Sequence, residues 1–343
     1  GWNAPDIFPT EHPLNAGRPG GRGDRPGNLA VQNADCILSI GSRLNIRQVG
    51  YSFRDWAPEA YVMQNDIDKE EIAKPLREAM EYSLYAGGKR VRPVLLMEAA
   101  RAVGGDPGSV LDYAAAIEFI HTYSLIHDDL PALDDDEYRR GKKTNHKVFG
   151  EAMAILAGDG LQALAYEVML SCIAKSDNMG YEILKKIKAA NEIVMAAGTE
   201  AMVSGQVMDI NSCSDKDSLT MLEKMHRMKT GALITAAVVA GATLAGADER
   251  QVVAFRKYGE NIGLVFQMVD DKLDVSGDSK NMGKDINADE RNEKITYTIL
   301  LSPVELDDLI KKHTQDAKDA IEGMCACPQG LMQLADDLML RCG

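Results

Sequence analysis

The 343-residue chain is short of positive charge: 38 Lys and Arg stand against 52 Asp and Glu, giving a formal net charge of −14 at pH 7 and a pI near 5.0. A negative field repels nucleic acid and anionic membrane surfaces, so neither is expected as the main partner, and an anionic ligand must be held by local cations and metal. Clustered cysteine is also scarce. Six are scattered at Cys36, Cys172, Cys213, Cys325, Cys327 and Cys342, and the close pair Cys325 and Cys327 lacks companion zinc ligands. Reduced thiols in a cytoplasmic protein are the expectation, as is the lack of a secretory signal. The uncharged run Gly231–Ala247, 17 residues rich in Ala and Gly, falls short of the roughly 20 strongly apolar residues a membrane span needs. It reads as a tightly packed core helix, and no transmembrane segment is expected.

Against these absences stands an unusual density of carboxylate. His127-Asp128-Asp129-Leu130-Pro131-Ala132-Leu133-Asp134-Asp135-Asp136 holds five carboxylates in nine residues, directly after the apolar run Ala114–Ile126. Like charges at the end of a buried helix repel and lose hydration, so they persist only where something cationic neutralises them. An all-oxygen set points to a hard cation, Mg²⁺ before Zn²⁺, which shares its shell with substrate phosphates. A second cluster, Asp270-Asp271-Lys272-Leu273-Asp274, follows Asn261–Val269, with Asp270 and Asp274 at i and i+4 on one helix face. The bland reading of either cluster alone is a polar helix end.

Basic groups occur in turn-like settings. Gly87-Gly88-Lys89-Arg90-Val91-Arg92-Pro93 sets three cations after a flexible turn; Arg139-Arg140-Gly141-Lys142, Lys229-Thr230-Gly231 and Gly283-Lys284-Asp285 follow. Each alone is more often a solvated turn, but together with two carboxylate clusters they suggest a site for two diphosphates.

Residues 1–75 read as α/β, with short strands at Asp35–Ile40 and Tyr61–Gln64 and a Trp-bearing helix between. The run GRGDRPGNLAVQNADCILSIGSRLNIRQVGYSF resembles the central domain of thiamine-diphosphate enzymes of the acetolactate-synthase type, over about residues 1–74. That family's Gly-Asp-Gly…Asn cofactor segment and activating glutamate are not found, so thiamine diphosphate is not expected as a cofactor.

From Leu76 the apolar period becomes helical: Leu76–Leu84, Val94–Val103, Val110–Ile126, Ala152–Ile173, Tyr181–Val203, Leu219–Met228, Leu233–Leu244, Val252–Val269, Thr296–Leu301, Leu306–Ile321 and Leu331–Leu340. No alternating strand pattern of useful length follows residue 75. The expectation is an all-α bundle of about ten helices around a central cavity, preceded by a partial α/β segment, with the domains divided at 75 and 76. Pro131 should kink or bulge its helix and so aim Asp128 and Asp134 at one metal.

Residues 76–343 resemble the short-chain trans-isoprenyl diphosphate synthases. The pieces are GGKRVRP (87–93), EFIHTYSLIHDDLPALDDDEYRRGKKTNHKVFGE (118–151), AGDGL (157–161), GQVMDI (205–210), HRMKTGALI (226–234), GLVFQMVDDKLDV (263–275) and GKDINADERNEKITY (283–297). The resemblance implies an isoprenoid-synthase bundle that joins isopentenyl diphosphate to an allylic diphosphate by ionisation, condensation and elimination, with about three Mg²⁺ ions per site. It implies that Asp128, Asp129 and Asp134 hold metal on the allylic diphosphate, and that Asp270, Asp271 and Asp274 hold a further ion. Arg139, Lys229, Thr230, Gln267 and Lys284 would contact the allylic substrate; Lys89, Arg92, His121 and Arg140 would hold the diphosphate of isopentenyl diphosphate. Without the motif around it, His121 reads as a satisfied core histidine.

In that family a large aromatic five residues before the first motif goes with a fifteen-carbon product, and a smaller residue there with twenty carbons. Tyr123 holds the position and Ser124 follows it, so farnesyl diphosphate is expected, with geranylgeranyl or geranyl diphosphate as alternatives. The family's homodimer is expected too, although the thiamine-enzyme-like segment replaces the helices that usually precede Leu76–Leu84 near the subunit contact. The rival functions are a terpene cyclase, which would not need GGKRVRP; a non-catalytic partner subunit, which should have lost an acidic cluster; and a thiamine-enzyme fragment acting as a binding module.

Overall fold

The computed structural model describes residues 36–40, 61–65, 72–176, 180–211, 219–276 and 295–341. The chain separates into two compact units, residues 1–77 and 78–343. In the first, β1 (Cys36–Ile40) pairs in parallel with β2 (Tyr61–Asn65), Cys36 opposite Tyr61 and Ile40 opposite Asn65. The helix expected between them lies outside the described residues.

The helical part starts with α1 (Lys74–Leu84) and α2 (Val91–Val103), followed by a 3₁₀ turn at Pro107–Val110 and α3 (Leu111–Asp128). A two-residue hairpin, β3 (Tyr138–Arg139) and β4 (Lys142–Lys143), leads into α4 (Asn145–Phe149), α5 (Glu151–Ala174), α6 (Tyr181–Ala197), α7 (Met202–Asn211) and α8 (Leu219–His226). A π-helical turn at Arg227–Gly231 joins α8 to α9 (Ala232–Leu244); α10 (Glu249–Ser276), α11 (Tyr297–Leu300), α12 (Pro303–Ile321) and α13 (Gln329–Met339) complete the described elements.

The core is built around α9, which packs on α2, α6 and α10 and is buried from Leu233 to Ala242. Small residues set that closeness: a Cβ on Gly241 would lie 2.0 Å from the Leu96 carbonyl oxygen, and one on Gly263 2.7 Å from the Gly231 Cα. The run Gly231–Ala247 is therefore a core helix, as its composition implies. Helix ends follow local chemistry. Ser302 and Glu305 form a capping box with Pro303 at the first turn of α12, and Gly104, with φ +101°, closes α2.

Three features depart from the sequence reading. The periodic stretch Tyr181–Val203 is broken after Ala197, where Gly198 turns extended and its carbonyl receives the N–H groups of Ala201 and Val203 before α7 begins. The apolar period runs through this break, so only the backbone shows it. Pro131 does not kink α3. The helix stops at Asp128 and Pro131 lies in the turn beyond, consistent with a residue that lacks an N–H and disfavours helix before it. The hairpin was not legible because two-residue strands cannot show alternation; Arg140 (φ 54°) and Gly141 (φ 73°) both take the positive φ that such a tight turn requires.

Among the described helices, α5 alone is long and apolar enough to cross a membrane. A third of its most apolar window is buried, and Ile155, Leu156 and Leu170 are exposed.

Candidate active site

The first acidic cluster is shaped by the end of α3. The Asp134 N–H donates to the Asp128 carbonyl at 2.9 Å, folding the loop back so that residues six apart in sequence become neighbours. Burial pushes the Asp128 carboxyl up; the charges of Lys229 and Arg139 pull it down, and those of Asp134 and Asp209 push it up again. Asp129, 3% exposed, accepts from Arg139 Nε at 2.5 Å, and Arg139 Nη2 donates to Asp136 at 3.1 Å. Adjacent carboxylates thus differ in company: Asp128 feels the charge of Lys229, distant in sequence, and Asp129 pairs with Arg139.

A cationic flank lies along the same helix. Arg92, Arg140, Arg139 and Arg90 surround His121, and burial together with their charges holds its imidazole neutral. Burial lowers Arg92 to about 10, and its buried Nε has no hydrogen-bond partner among the described residues. Glu118 is buried and pairs with Arg90, its Oε2 having no partner among the described residues. Arg140 donates to the Gly87 carbonyl from its strained hairpin position, and a Cβ on Gly88 would lie 2.5 Å from its guanidinium carbon. Lys89 is exposed, its pKa lowered by partial burial and by the charge of Arg341. His121 and Asp128 are seven residues apart, two helical turns, so the cationic flank and the acidic end lie about 10 Å apart on one face of α3. The described non-glycine residues with positive φ, Arg90, Asp135 and Arg140, all border this region, where strained backbone commonly gathers.

The second cluster sits on α10, and the π-helical turn joins it to the first. Lys229 Nζ donates to Asp209 of α7 at 2.7 Å, and its charge reaches Asp128. The next residue faces the other way, with Thr230 Oγ1 donating to Gln267 Oε1 at 3.1 Å. Gln267 Nε2 donates to Asp271 Oδ1 at 3.2 Å, and the Tyr297 N–H donates to Asp271 Oδ2 at 2.9 Å. Asp271 is 4% exposed and turned toward α11. Asp270 is more open and pairs with Arg341; Asp274 stands one turn further along α10. π-turns of this kind are frequent at functional sites, and here a Cβ on Gly205 would lie 2.2 Å from the Lys229 nitrogen, so α7 presses directly on the turn.

Among the described residues no three His, Cys, Asp or Glu side chains converge closely enough to hold a metal unaided. The donors present are nonetheless carboxylate oxygens, and the like charges of Asp134 and Asp209 bear on the desolvated Asp128, offset in part by Lys229 and Arg139. That chemistry fits a hard divalent ion whose shell is completed by water and phosphate oxygens. A small cavity of about 30 Å³ is lined by Tyr82, Thr122, Asp129, Arg139, Arg140 and Asn145 among others. Asp128, Lys229 and Asp270 do not line it.

Residues 73–325 match the polyprenyl synthetase family, and residues 2–87 match the central domain of thiamine pyrophosphate enzymes. The chain belongs to the polyprenyl synthetase family. The farnesyl diphosphate synthase of Geobacillus stearothermophilus is 47% identical over 236 residues, 69% of this chain and 78% of that protein. The chloroplastic heterodimeric geranylgeranyl pyrophosphate synthase large subunit 1 of Arabidopsis thaliana is 42% identical over 306 residues, 85% and 82% of the two chains. The crystal structure of a Helicobacter pylori geranyltransferase complexed with magnesium and isoprenyl diphosphate superposes with a TM-score of 0.69 at 26% identity, covering 80% of this chain and 90% of that one. The chain is a prenyl transferase with the family's all-α fold.

In this polyprenyl synthetase Lys229 bears on Asp128 by charge while the adjacent Thr230 is linked through Gln267 to Asp271, and the charges of Arg92, Arg139 and Arg140 bear on the neutral His121. Lys284 lies outside the described residues. Three residues beside these groups were not singled out from sequence: Asp209, Glu118 and Arg341. Asp209 sits in GQVMDI, and its signal was a lone carboxylate among apolar residues of a helix. Tyr123 is 7% exposed, its hydroxyl pushed up to about 12 by burial, and its ring meets His127 edge-on at 5.8 Å. Ser124 donates to the His121 carbonyl at 2.9 Å.

Proposed function

We propose that this prenyl transferase joins isopentenyl diphosphate to dimethylallyl or geranyl diphosphate and releases farnesyl diphosphate, working as a cytoplasmic homodimer. The observation that carries the reading is the π-turn: Lys229 reaches the Asp128 cluster while Thr230 reaches Gln267 and Asp271, so one turn ties both acidic motifs to a single anion site. Asp128, Asp134, Asp270 and Asp274 would hold magnesium, about three ions as in the family expectation. Magnesium, when bound, supplies the positive charge that stabilises the departing diphosphate. Each oxygen of Asp271 already has a donor, so in this reading Asp271 positions α11 and Gln267. Asp129 likewise acts by holding Arg139.

Arg139, Lys229, Thr230, Gln267 and Lys284 bind and orient the allylic diphosphate, drawing negative charge onto it as the C–O bond ionises. Lys89, Arg92, His121 and Arg140 hold the second diphosphate, with neutral His121 free to donate a hydrogen bond. The orphan Nε of Arg92 is a donor awaiting an anion. Two grips about 10 Å apart along α3 bring the isopentenyl double bond to the allylic cation, and the proton lost afterwards goes to the released diphosphate. Buried Phe119 and Tyr123 shield the cation from water. The exposed apolar residues of α5 and α6, Leu156, Leu170, Leu184 and Ile187 among them, support a second copy of the chain as their cover.

A twenty-carbon product is the second reading, favoured by the likeness to the Arabidopsis thaliana protein. Tyr123 discriminates between them. Incubation with geranyl and isopentenyl diphosphates and Mg²⁺ should give a fifteen-carbon product that EDTA abolishes, and Tyr123→Ala should lengthen it. A product spectrum unmoved by that substitution would refute the role of Tyr123.

A further inference from the structure

The second acidic cluster is already partnered. Arg341, two residues past the end of α13, donates to Asp270 Oδ1 through Nη2, and its guanidinium lies 4.6 Å from the centre of the Phe266 ring. Phe266 and Asp270 stand at i and i+4 on α10, so one helix face supplies both the platform and the counter-charge. The Arg341 side chain is 9% exposed and that of Asp270 44%.

We propose that Arg341 holds the place of the divalent ion on Asp270 while the site is free of metal, so that metal binding and detachment of Arg341 are one event. The inference rests on reading Asp270 as a metal ligand. The Arg341 pairing is incomplete: among the described residues its buried Nε has no hydrogen-bond partner, and burial lowers the guanidinium pKa. A cation stripped of water for an imperfect set of acceptors is the weaker competitor against a doubly charged ion that completes its shell with water and phosphate. Detachment need not disturb α13. That helix is fastened by Lys318 to both oxygens of Asp336 at 2.9 Å and by the Tyr258 hydroxyl to the Leu331 carbonyl at 2.7 Å.

The test is a magnesium chloride titration followed by thermal unfolding, with no substrate present, on wild type, Arg341→Gln, Arg341→Lys and Asp270→Asn. Arg341→Gln should half-saturate at about two- to fivefold lower magnesium, the size expected for loss of one partly exposed ion pair. Arg341→Lys should fall between it and wild type, and amide exchange at residues 340 and 341 should rise in wild type as magnesium is added. Equal half-saturation in wild type and both Arg341 variants, with Asp270→Asn unresponsive, would overturn the inference alone. A wild-type response that Asp270→Asn leaves intact would overturn the metal reading of Asp270, and the inference with it.

Discussion

The acidic cluster at the end of α3 is made by a backbone turn, whereas the one on α10 is made by helix periodicity. Bringing Asp134 to Asp128 requires α3 to stop, Pro131 to sit beyond its end, and the Asp134 N–H to find the Asp128 carbonyl. Asp270 and Asp274 need nothing more than a helix that continues. What differs next is the company each cluster keeps. Asp128 is desolvated among Lys229, Arg139 and further carboxylates, while Asp270 is more open and, among the described residues, pairs with the Arg341 guanidinium. Charge in a drier setting interacts more strongly, so clusters of like composition should differ in how much they carry.

Substituting the leading residue of each cluster tests that difference most severely. Asp128→Asn should lower kcat about 10²–10³-fold, the loss typical when one electrostatic contact to the departing charge is removed. Asp270→Asn should cost about tenfold less, because solvent and neighbouring carboxylates replace part of what it supplies. Single-turnover rates at saturating magnesium measure both. Equal losses would mean that the exposure of Asp270 does not matter once substrate is bound.

Much of this was legible in the sequence. Carboxylate runs at the ends of apolar helices can be read from local order, and so can the helices, because a period of 3.6 is a local property. What escaped was partnership across distance. Nothing near Asp129 marks Arg139 as its partner, and nothing in VDDKLD says that Asp271 will turn inward to the Tyr297 N–H, 26 residues away. Asp209 was hidden for the same reason, since its importance comes from Lys229, 20 residues on. The break at Gly198 escaped because apolar periodicity continues across it.

The inward turn of Asp271 supplies the next contrast, between neighbours on one helix. Asp271→Ala leaves the buried Tyr297 N–H and the Gln267 amide without acceptors and should cost about 1–3 kcal/mol of stability. Asp270→Ala breaks a half-exposed pair and should cost within about 1 kcal/mol. Urea unfolding without metal at pH 7 separates them. The reverse order would mean that Asp270, not Asp271, anchors this end of the bundle.

The smallest effect concerns pH and has opposite signs at the two clusters. Burial raises the Asp128 carboxyl, so its burden on the folded state is lifted in acid and grows as pH rises through its folded value. His226, which lies 5.2 Å from the Tyr297 ring beside the second cluster, is lowered to about 3 by burial, with Nδ1 buried and unpartnered. An imidazole kept neutral in the fold but free to charge at its ordinary value near 6.5 when unfolded contributes stability that is complete above that value. It is lost as pH falls toward 3, at about 1.4 kcal/mol per unit. Between pH 7 and 5.5, wild type should therefore lose about 1 kcal/mol more than His226→Gln in metal-free urea unfolding. His121, neutral among its arginines, adds a loss of the same sign that this substitution leaves in place, so the difference between the two proteins isolates His226. Parallel pH profiles would show that acid sensitivity arises at the α3 cationic flank and not beside α10.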